Sequence, residues 1–368
     1  MTIKLLSIIG TRPQFIKSAI VSSEIDAFNK GKNKKKIQET ILNTSQHYDK
    51  NLSDIFIKDL FSLKPHINLK VKKNLSQNEM TTKIMNDIER HLIKENYDAV
   101  NLYGDTNSTL AGALVASKLN IPIIHIEAGL RSYNKKMPEE INRLITDHLS
   151  TLLFCPSNQS KTNLKKEGIT DGVNVVGDVM LDINNKIKKT ALSNFSRGKF
   201  GLKSEDFCIL TIHRQETVDK KDNLLAILKA IDEISNDLNI FFPIHPRTKK
   251  MIDAFNFNKY LKNVITSAPV SYIDMIGLLN NCKLVFTDSG GLQKESIFNN
   301  KPCLILRDET EWVEIIKKGY GFLCGHDTDK ILDEFNSIKS DQLNMTNKLY
   351  GDGFAAKKVV QKIFHYFS

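Results

Sequence analysis

Short β-branched runs alternate along the chain with stretches whose apolar residues recur at helical spacing, the signature of parallel α/β layers. In the first half the predicted strands are Lys4–Ile9, Ile37–Asn43, Ala99–Tyr103, Ile121–Ile126 and Leu152–Cys155. Helical patterns such as Ser108–Leu119 and Glu139–Leu149 lie between them. A second series begins near Val173, with strands at Cys208–Ile212, Ile240–Pro243, Val264–Thr266, Leu284–Thr287 and Cys303–Leu306. Helices such as Asn223–Ile234, Tyr272–Leu279 and Gly291–Phe298 separate these. The pattern predicts two doubly wound α/β domains, residues 1–170 and 171–354, joined near Glu167–Asn174. The amphipathic closing segment Ala355–Phe367 is placed as a helix returning to the first domain. Open α/β sheets bind ligands beyond the carboxyl ends of their strands, and two such domains facing each other would leave a cleft for a ligand.

Composition narrows the class. A chain of 368 residues with 41% hydrophobic content has room for two buried cores. No stretch approaches the ~18 apolar residues that a membrane span needs. The opening run MTIKLLSIIGTRP reaches Arg12 without a cleavage-site pattern and reads as a first strand, not a signal peptide. Cys155, Cys208, Cys282, Cys303 and Cys324 form an odd set with no CxxC pair. That usage fits buried thiols in a reducing compartment, the cytoplasm, better than disulfides or a zinc site. The net charge of +10 sits mostly in lysine runs, Lys30, Lys32 and Lys34 to Lys36, or Lys186, Lys188 and Lys189, which read as solvated faces. Aromatics do not interleave with them and no DNA-binding spacing occurs, so neither nucleic acid nor membrane is an expected partner. A modest positive field suits the capture of a small anion.

The polar loops carry the candidate chemistry. Gly10-Thr11-Arg12-Pro13-Gln14 ends the first strand without the GxGxxG fingerprint, so nicotinamide and flavin lose their main support. Its glycine and arginine suit a phosphate, and equally a plain strand-to-helix turn. Tyr103-Gly104-Asp105-Thr106-Asn107-Ser108 reads as a capping loop in which Asn107 or Ser108 caps the helix and Asp105 is left free. Glu127 follows the next strand in His125–Arg131, and Glu139 shares a helical face with Arg143. Three acidic segments at one end of one sheet would repel one another. A packed core gains nothing from that, whereas a site that removes and returns a weakly acidic C–H proton does. In the second half, His213-Arg214 ends a strand and suits an anion. Asp288-Ser289-Gly290-Gly291-Leu292-Gln293-Lys294-Glu295 opens a helix with small residues, whose backbone N–H groups bind phosphate oxygens. Glu295, one turn on, is placed to accept from ribose hydroxyls, and His245-Pro246-Arg247 is a further candidate.

GTRPQFIK, YGDTNSTLAGALVASK, HIEAGLRS, PEEINR, TIHR and TDSGGLQKE occur in the order found in the non-hydrolysing UDP-N-acetylglucosamine 2-epimerases, and the chain resembles that family over nearly its whole length. The resemblance implies a glycosyltransferase-B-like fold, two Rossmann-like doubly wound domains facing a deep cleft, in a homodimer. It implies Asp105, Glu127, Glu139 and His213 as the catalytic set, with Arg143 beside them. Arg12, Ser289, Gly290 and Glu295 match positions that hold UDP, and Lys17, His245, Gly291 and Trp312 are placed with them at the substrate. The implied substrate is a UDP-sugar, with no redox cofactor and no metal. In the implied reaction a carboxylate takes the C2 proton while UDP leaves C1, a glycal is held, and UDP re-adds after a proton returns to the opposite face. His213 and Arg12 would offset charge on the departing diphosphate. The product would feed surface polysaccharide synthesis.

Three positions depart from that family's pattern. Gln46-His47-Tyr48-Asp49 stands where the family carries QHR in an allosteric site for substrate. Trp312 stands where the family has the arginine of a TERPE stretch, and Met275 replaces an aromatic near the uracil. The changes resemble the branch acting on UDP-2,3-diacetamido-2,3-dideoxy-glucuronate. There the face of Trp312 would suit a second acetamido group, and Arg131, Arg214 or Arg307 would meet the uronate. Rival readings of the same residues are a hydrolysing 2-epimerase that releases UDP, a retaining glycosyltransferase of the same fold, and a UDP-sugar-binding regulator without activity.

Overall fold

The structure, a computed structural model, describes residues 2–32, 35–46, 65–69, 75–202, 206–340, 345 and 348–368. The chain divides into two compact units, Met1–Ile183 with Tyr350–Ser368, and Asn184–Leu349. In the first unit seven strands, β1 (Thr2–Ile9), β2 (Lys36–Asn43), β3 (Ile67–Asn68), β4 (Ala99–Tyr103), β5 (Ile123–Ile126), β6 (Leu152–Cys155) and β7 (Val173–Val175), form one parallel sheet. The strand order is β3-β2-β1-β4-β5-β6-β7. Every residue of β4 and β5 is buried, which is why AVNLY and IIHI show no in–out alternation. Helix Gln77–Lys94 buries Ile84, Ile88 and Leu92, a stripe at four-residue spacing, against this sheet's core. The last helix, Ala355–Phe367, belongs to the same unit. Phe364 lies 4.8 Å from the Phe28 ring of helix Arg12–Lys30. Asp182 caps its first turn, accepting from Ala355 N and Ala356 N at 3.1 and 2.7 Å.

The second unit carries β8 (Phe207–Thr211), β9 (Asn239–Pro243), β10 (Val264–Ser267), β11 (Leu284–Thr287), β12 (Cys303–Ile305) and β13 (Gly321–Leu323). They form a parallel sheet in the order β10-β9-β8-β11-β12-β13. Leu224, Ile227, Leu228 and Ile231, one face of helix Lys221–Ile234, close over Leu210, Phe242, Phe286 and Leu304.

The division differs from the expected one. Val173 does not open the second series. It pairs with Leu153, so β7 extends the first sheet at its β6 edge. The first unit therefore runs on to Ile183, inside helix Val179–Asn194, and takes the chain back at Tyr350.

Each sheet reverses its order once, between β1 and β4 in the first and between β8 and β11 in the second. At such a switch point neighbouring loops diverge and open the crevice in which α/β proteins bind ligands. Arg12 follows β1, Asp105 follows β4, His213 follows β8 and Ser289 follows β11. All five cysteines are free and buried. Among the described residues no helix is long and apolar enough to cross a membrane.

Candidate active site

In the first unit the loops after β1 and β4 are fastened together by Gln14. Its Oε1 accepts from Gly10 N and Thr11 N at 2.8 and 3.2 Å, and its Nε2 donates to Tyr103 O and Thr106 Oγ1 at 2.8 and 2.9 Å. Arg12 sits half-buried at the start of its helix. The loop after β4 caps its helix with Thr106, whose Oγ1 accepts from Thr109 N, and not with Asn107 or Ser108, both buried within the helix. Asp105, ahead of the cap, keeps a side chain 30% exposed and accepts from Arg143 Nε and Nη2 at 2.9 and 2.6 Å.

Glu127 adopts φ +75°, a left-handed backbone that a glutamate rarely takes. Its own N–H and that of Ala128 both donate to Phe154 O at 3.1 Å, which holds the turn. Its carboxylate pairs with Lys17, a buried lysine of helix Arg12–Lys30. Gly104, at φ +62°, lies against that pair. A Cβ there would stand 3.1 Å from Glu127 Oε2 and 3.4 Å from Lys17 Nζ. Asp105, Glu127, Lys17 and Arg143 are thus brought together at the carboxyl ends of β4 and β5. The carboxylates do not stand as a bare repelling cluster, because cations are interleaved with them.

Glu139 lies exposed in the first turn of helix Pro138–Leu149. The ion pair read from its spacing to Arg143 belongs to its neighbour. Glu140, 1% exposed, accepts from Arg143 Nη1 at 2.9 Å and from the backbone N–H groups of Ser132 and Tyr133, each at 2.9 Å. One residue is a third of a helical turn, so Glu140 falls on the face that buries Asn142, Arg143, Thr146 and Asp147, and Glu139 does not. Sequence reasoning missed Glu140 and Gln14; the first stood beside the candidate in the same PEE segment.

In the second unit, Asp288 is buried and its Oδ2 accepts from His213 N and Arg214 N, both at 2.9 Å. His213 Nδ1 is 3.4 Å from Asp288 Oδ1, and its ring centroid is 5.7 Å from that of His245. His245 Nδ1 caps its own helix by accepting from Arg247 N at 3.2 Å, while Arg247 is ion-paired with Asp219. Ser289 caps helix Gly290–Phe298, its Oγ accepting from Leu292 N. The N–H groups at such a helix start lie outside the helix's own ladder and face an anion. Gly290 sits against Glu311, with which a Cβ would collide, and Gly291 is exposed. Glu295, 9% exposed, is buried in the same helix.

These are two constellations at switch points, one of carboxylates with paired cations and one of a serine-capped helix start beside Asp288 and His213. A family model described as UDP-N-acetylglucosamine 2-epimerase matches residues 29–364. The chain belongs to this family. It is 43% identical over 364 residues, covering 97% of this chain and 98% of the other, to a UDP-N-acetylglucosamine 2-epimerase homolog of Methanococcus maripaludis. It is 41% identical over 363 residues, with the same coverage, to the UDP-2,3-diacetamido-2,3-dideoxy-D-glucuronate 2-epimerase of Pseudomonas aeruginosa. Among solved structures it matches the Methanocaldococcus jannaschii UDP-GlcNAc 2-epimerase crystallised with UDP-GlcNAc and UDP, at TM-score 0.88 and 39% identity over 99% of this chain and all of that one. The protein is therefore an isomerase of the epimerase family, with its glycosyltransferase-B-like fold class.

The positions where this epimerase departs from its family pattern are only partly as expected. Trp312 is 3% exposed, and Lys294 Nζ lies 4.2 Å from its ring centroid, so the face expected to meet a sugar carries a cation instead. Of the three arginines considered for a uronate, Arg131 is not free for one. It is 1% exposed and committed to Asp147 and Glu167 at 2.7 and 2.6 Å, because the buried Asp147 must be neutralised. Arg307 is 2% exposed and donates to Glu311 Oε2 at 3.0 Å. Arg214 is half-buried, 3.6 Å from the exposed Glu216. Met275 is half-buried. His47, Tyr48 and Asp49 lie outside the described residues, as does Lys34.

Proposed function

We propose that the protein is a non-hydrolysing 2-epimerase that inverts carbon 2 of a UDP-linked N-acetylamino sugar by eliminating UDP and adding it back. The observation that carries this reading is the pair of carboxylates on adjacent strand ends, Asp105 held by Arg143 and Glu127 held by Lys17. Inversion needs one group to take the C2 proton from one face and another to return a proton to the opposite face. Two separately anchored carboxylates meet that need, with the exposed Glu139 as the third candidate. The bond from C1 to the UDP oxygen breaks as the C2 proton leaves, which yields a glycal and UDP. The charge developing on UDP would be met in the second unit by the N–H groups of Gly290 and Gly291, the cap Ser289 and His213. Glu295 would take the ribose and His245 would lie beside the nucleotide. The same reading has the enzyme act in the cytoplasm as a homodimer without a redox cofactor, supplying a precursor for surface polysaccharide.

A second reading concerns the sugar. Trp312 with Lys294 across its ring replaces the lone arginine of the TERPE pattern, and the Pseudomonas aeruginosa relative is named for UDP-2,3-diacetamido-2,3-dideoxy-D-glucuronate. The relative's name favours that sugar over UDP-N-acetylglucosamine, while the buried Trp312 face, covered by Lys294, no longer bears on it. The general reading is tested by proton NMR of enzyme with UDP-sugar and no acceptor. Appearance of the C2 epimer still joined to UDP is expected. Accumulating UDP with free sugar would mean a hydrolysing epimerase, and no change without an acceptor would mean a transferase.

A further inference from the structure

Beneath the two carboxylate loops lies a line of four buried or half-buried ionisable groups that the proposed reaction does not use. His125, on β5, is fully buried. Its Nε2 stands 2.7 Å from Gly104 O and its Nδ1 2.7 Å from Asp147 Oδ1. A backbone carbonyl only accepts, so Nε2 carries a proton. Asp147 Oδ2 accepts from Arg131 Nη1 at 2.7 Å and from Gly129 N at 3.1 Å. Burial works to raise the Asp147 carboxyl, but the His125 ring and the Arg131 guanidinium hold it below the usual carboxylate range. Its Oδ1 meets the ring's Nδ1, so the carboxyl is held by ring, guanidinium and backbone N–H together. Arg131 completes the line by donating Nε and Nη2 to Glu167 at 2.7 and 2.6 Å.

Burying such a line brings little stability, since well-packed apolar side chains commonly do as well. What the line does reach is specific. Gly104 directly precedes Asp105 and holds φ +62°, while Gly129 closes the turn opened by Glu127 at φ +75°. A left-handed backbone at a glutamate persists only where its surroundings over-determine it. We propose that His125 is a positioning residue, its Nε2–H fixing the Gly104 peptide and, through Asp147, the Gly129 turn, so that Asp105 and Glu127 hold their places relative to one another. This rests on the epimerase reading above.

The test is steady-state kinetics of His125→Gln and Asp147→Asn. Glutamine cannot reach Gly104 O and Asp147 together, so kcat should fall about a hundredfold, the loss a displacement near 1 Å produces, while KM and UDP affinity stay within about threefold. Asp147→Asn can donate to a neutral Nδ1 and accept from Arg131 and Gly129, which leaves the Nε2–H on Gly104. It should lose only about fivefold, the difference between a charged and a neutral hydrogen bond. A loss in His125→Gln no deeper than in Asp147→Asn, or one borne by KM, would overturn the proposal. Should His125→Gln not fold by circular dichroism, wild type carrying ¹⁵N-histidine decides. Nε2 is expected to be protonated at neutral pH, and a ring lacking the Nε2 proton overturns the assignment. Wild-type turnover of the UDP-sugar is the control. Its absence would sink the epimerase reading, while the ring's protonation would still be read independently.

Discussion

Gly104→Ala probes the site without replacing a charged group. An L-residue in the left-handed region costs about 1–2 kcal/mol, and Gly104 sits there at φ +62°. For a unit of this size each kcal/mol lowers Tm by about 2–4 °C, so a fall of about 2–8 °C is expected by calorimetry. The new Cβ would also stand 3.1 Å from Glu127 Oε2 and 3.4 Å from Lys17 Nζ. Both atoms are the tips of flexible side chains, so they yield by a few tenths of an ångström and the chain still folds. If the pair stands beside the reacting carbon, that shift matters. A full ångström costs about a hundredfold, so kcat should fall about three- to tenfold on the same scale. UDP affinity by calorimetric titration should not change, because the UDP-holding residues assigned to the second unit are untouched. A lowered Tm with kcat held within about twofold would refute the placement of Glu127 and Lys17 at the reaction. An unchanged Tm would refute the strain argument itself.

Asp105→Asn and Glu127→Gln keep shape and remove basicity, and each should cost ~100- to 10,000-fold in kcat; Glu139→Gln belongs to the same series, and folded variants that all stay within a few-fold of wild type would dismiss the acidic site. Ser289→Ala removes a helix cap worth about 1 kcal/mol and should weaken UDP binding more than it slows the chemical step; a lowered Tm with unchanged UDP affinity would separate the serine from the nucleotide. Between the two sugars, a charged hydrogen bond to the uronate contributes about 1.5–3 kcal/mol, or about ten- to a hundredfold in kcat/KM. UDP-2,3-diacetamido-2,3-dideoxy-glucuronate should therefore be the better substrate, with Arg214 the more accessible of the arginines considered; equal or better turnover of UDP-N-acetylglucosamine would end the specialised assignment.

The strands that place the site were legible because they are buried on both faces and write themselves as continuous apolar runs. Ala99–Tyr103 and Leu284–Thr287 have the bounds the pattern predicts. The strands that were missed or misassigned, Ile67–Asn68, Val173–Val175 and Gly321–Leu323, are two or three residues long and owe their existence to a neighbouring strand's ladder, which no local pattern records. The loops holding Asp105, Glu127, His213 and Ser289 were legible from their position after strands. The pairing within them was not. Lys17 is 110 residues from Glu127, and Arg143 is 38 from Asp105. Such partners are set by tertiary packing, which is also why the expected repulsion among carboxylates gave way to alternating charge. Trp312 read as a bare face because nothing local placed Lys294 across it.

In the proposed epimerisation a proton leaves carbon 2 and a solvent-derived one returns. Proton NMR of the UDP-sugar with wild-type enzyme in deuterated water tests it directly. Deuterium is expected at C2 of the epimerised product, with UDP still attached and with no dependence on added nicotinamide cofactor. Epimer formed with its original C2 proton retained would contradict it.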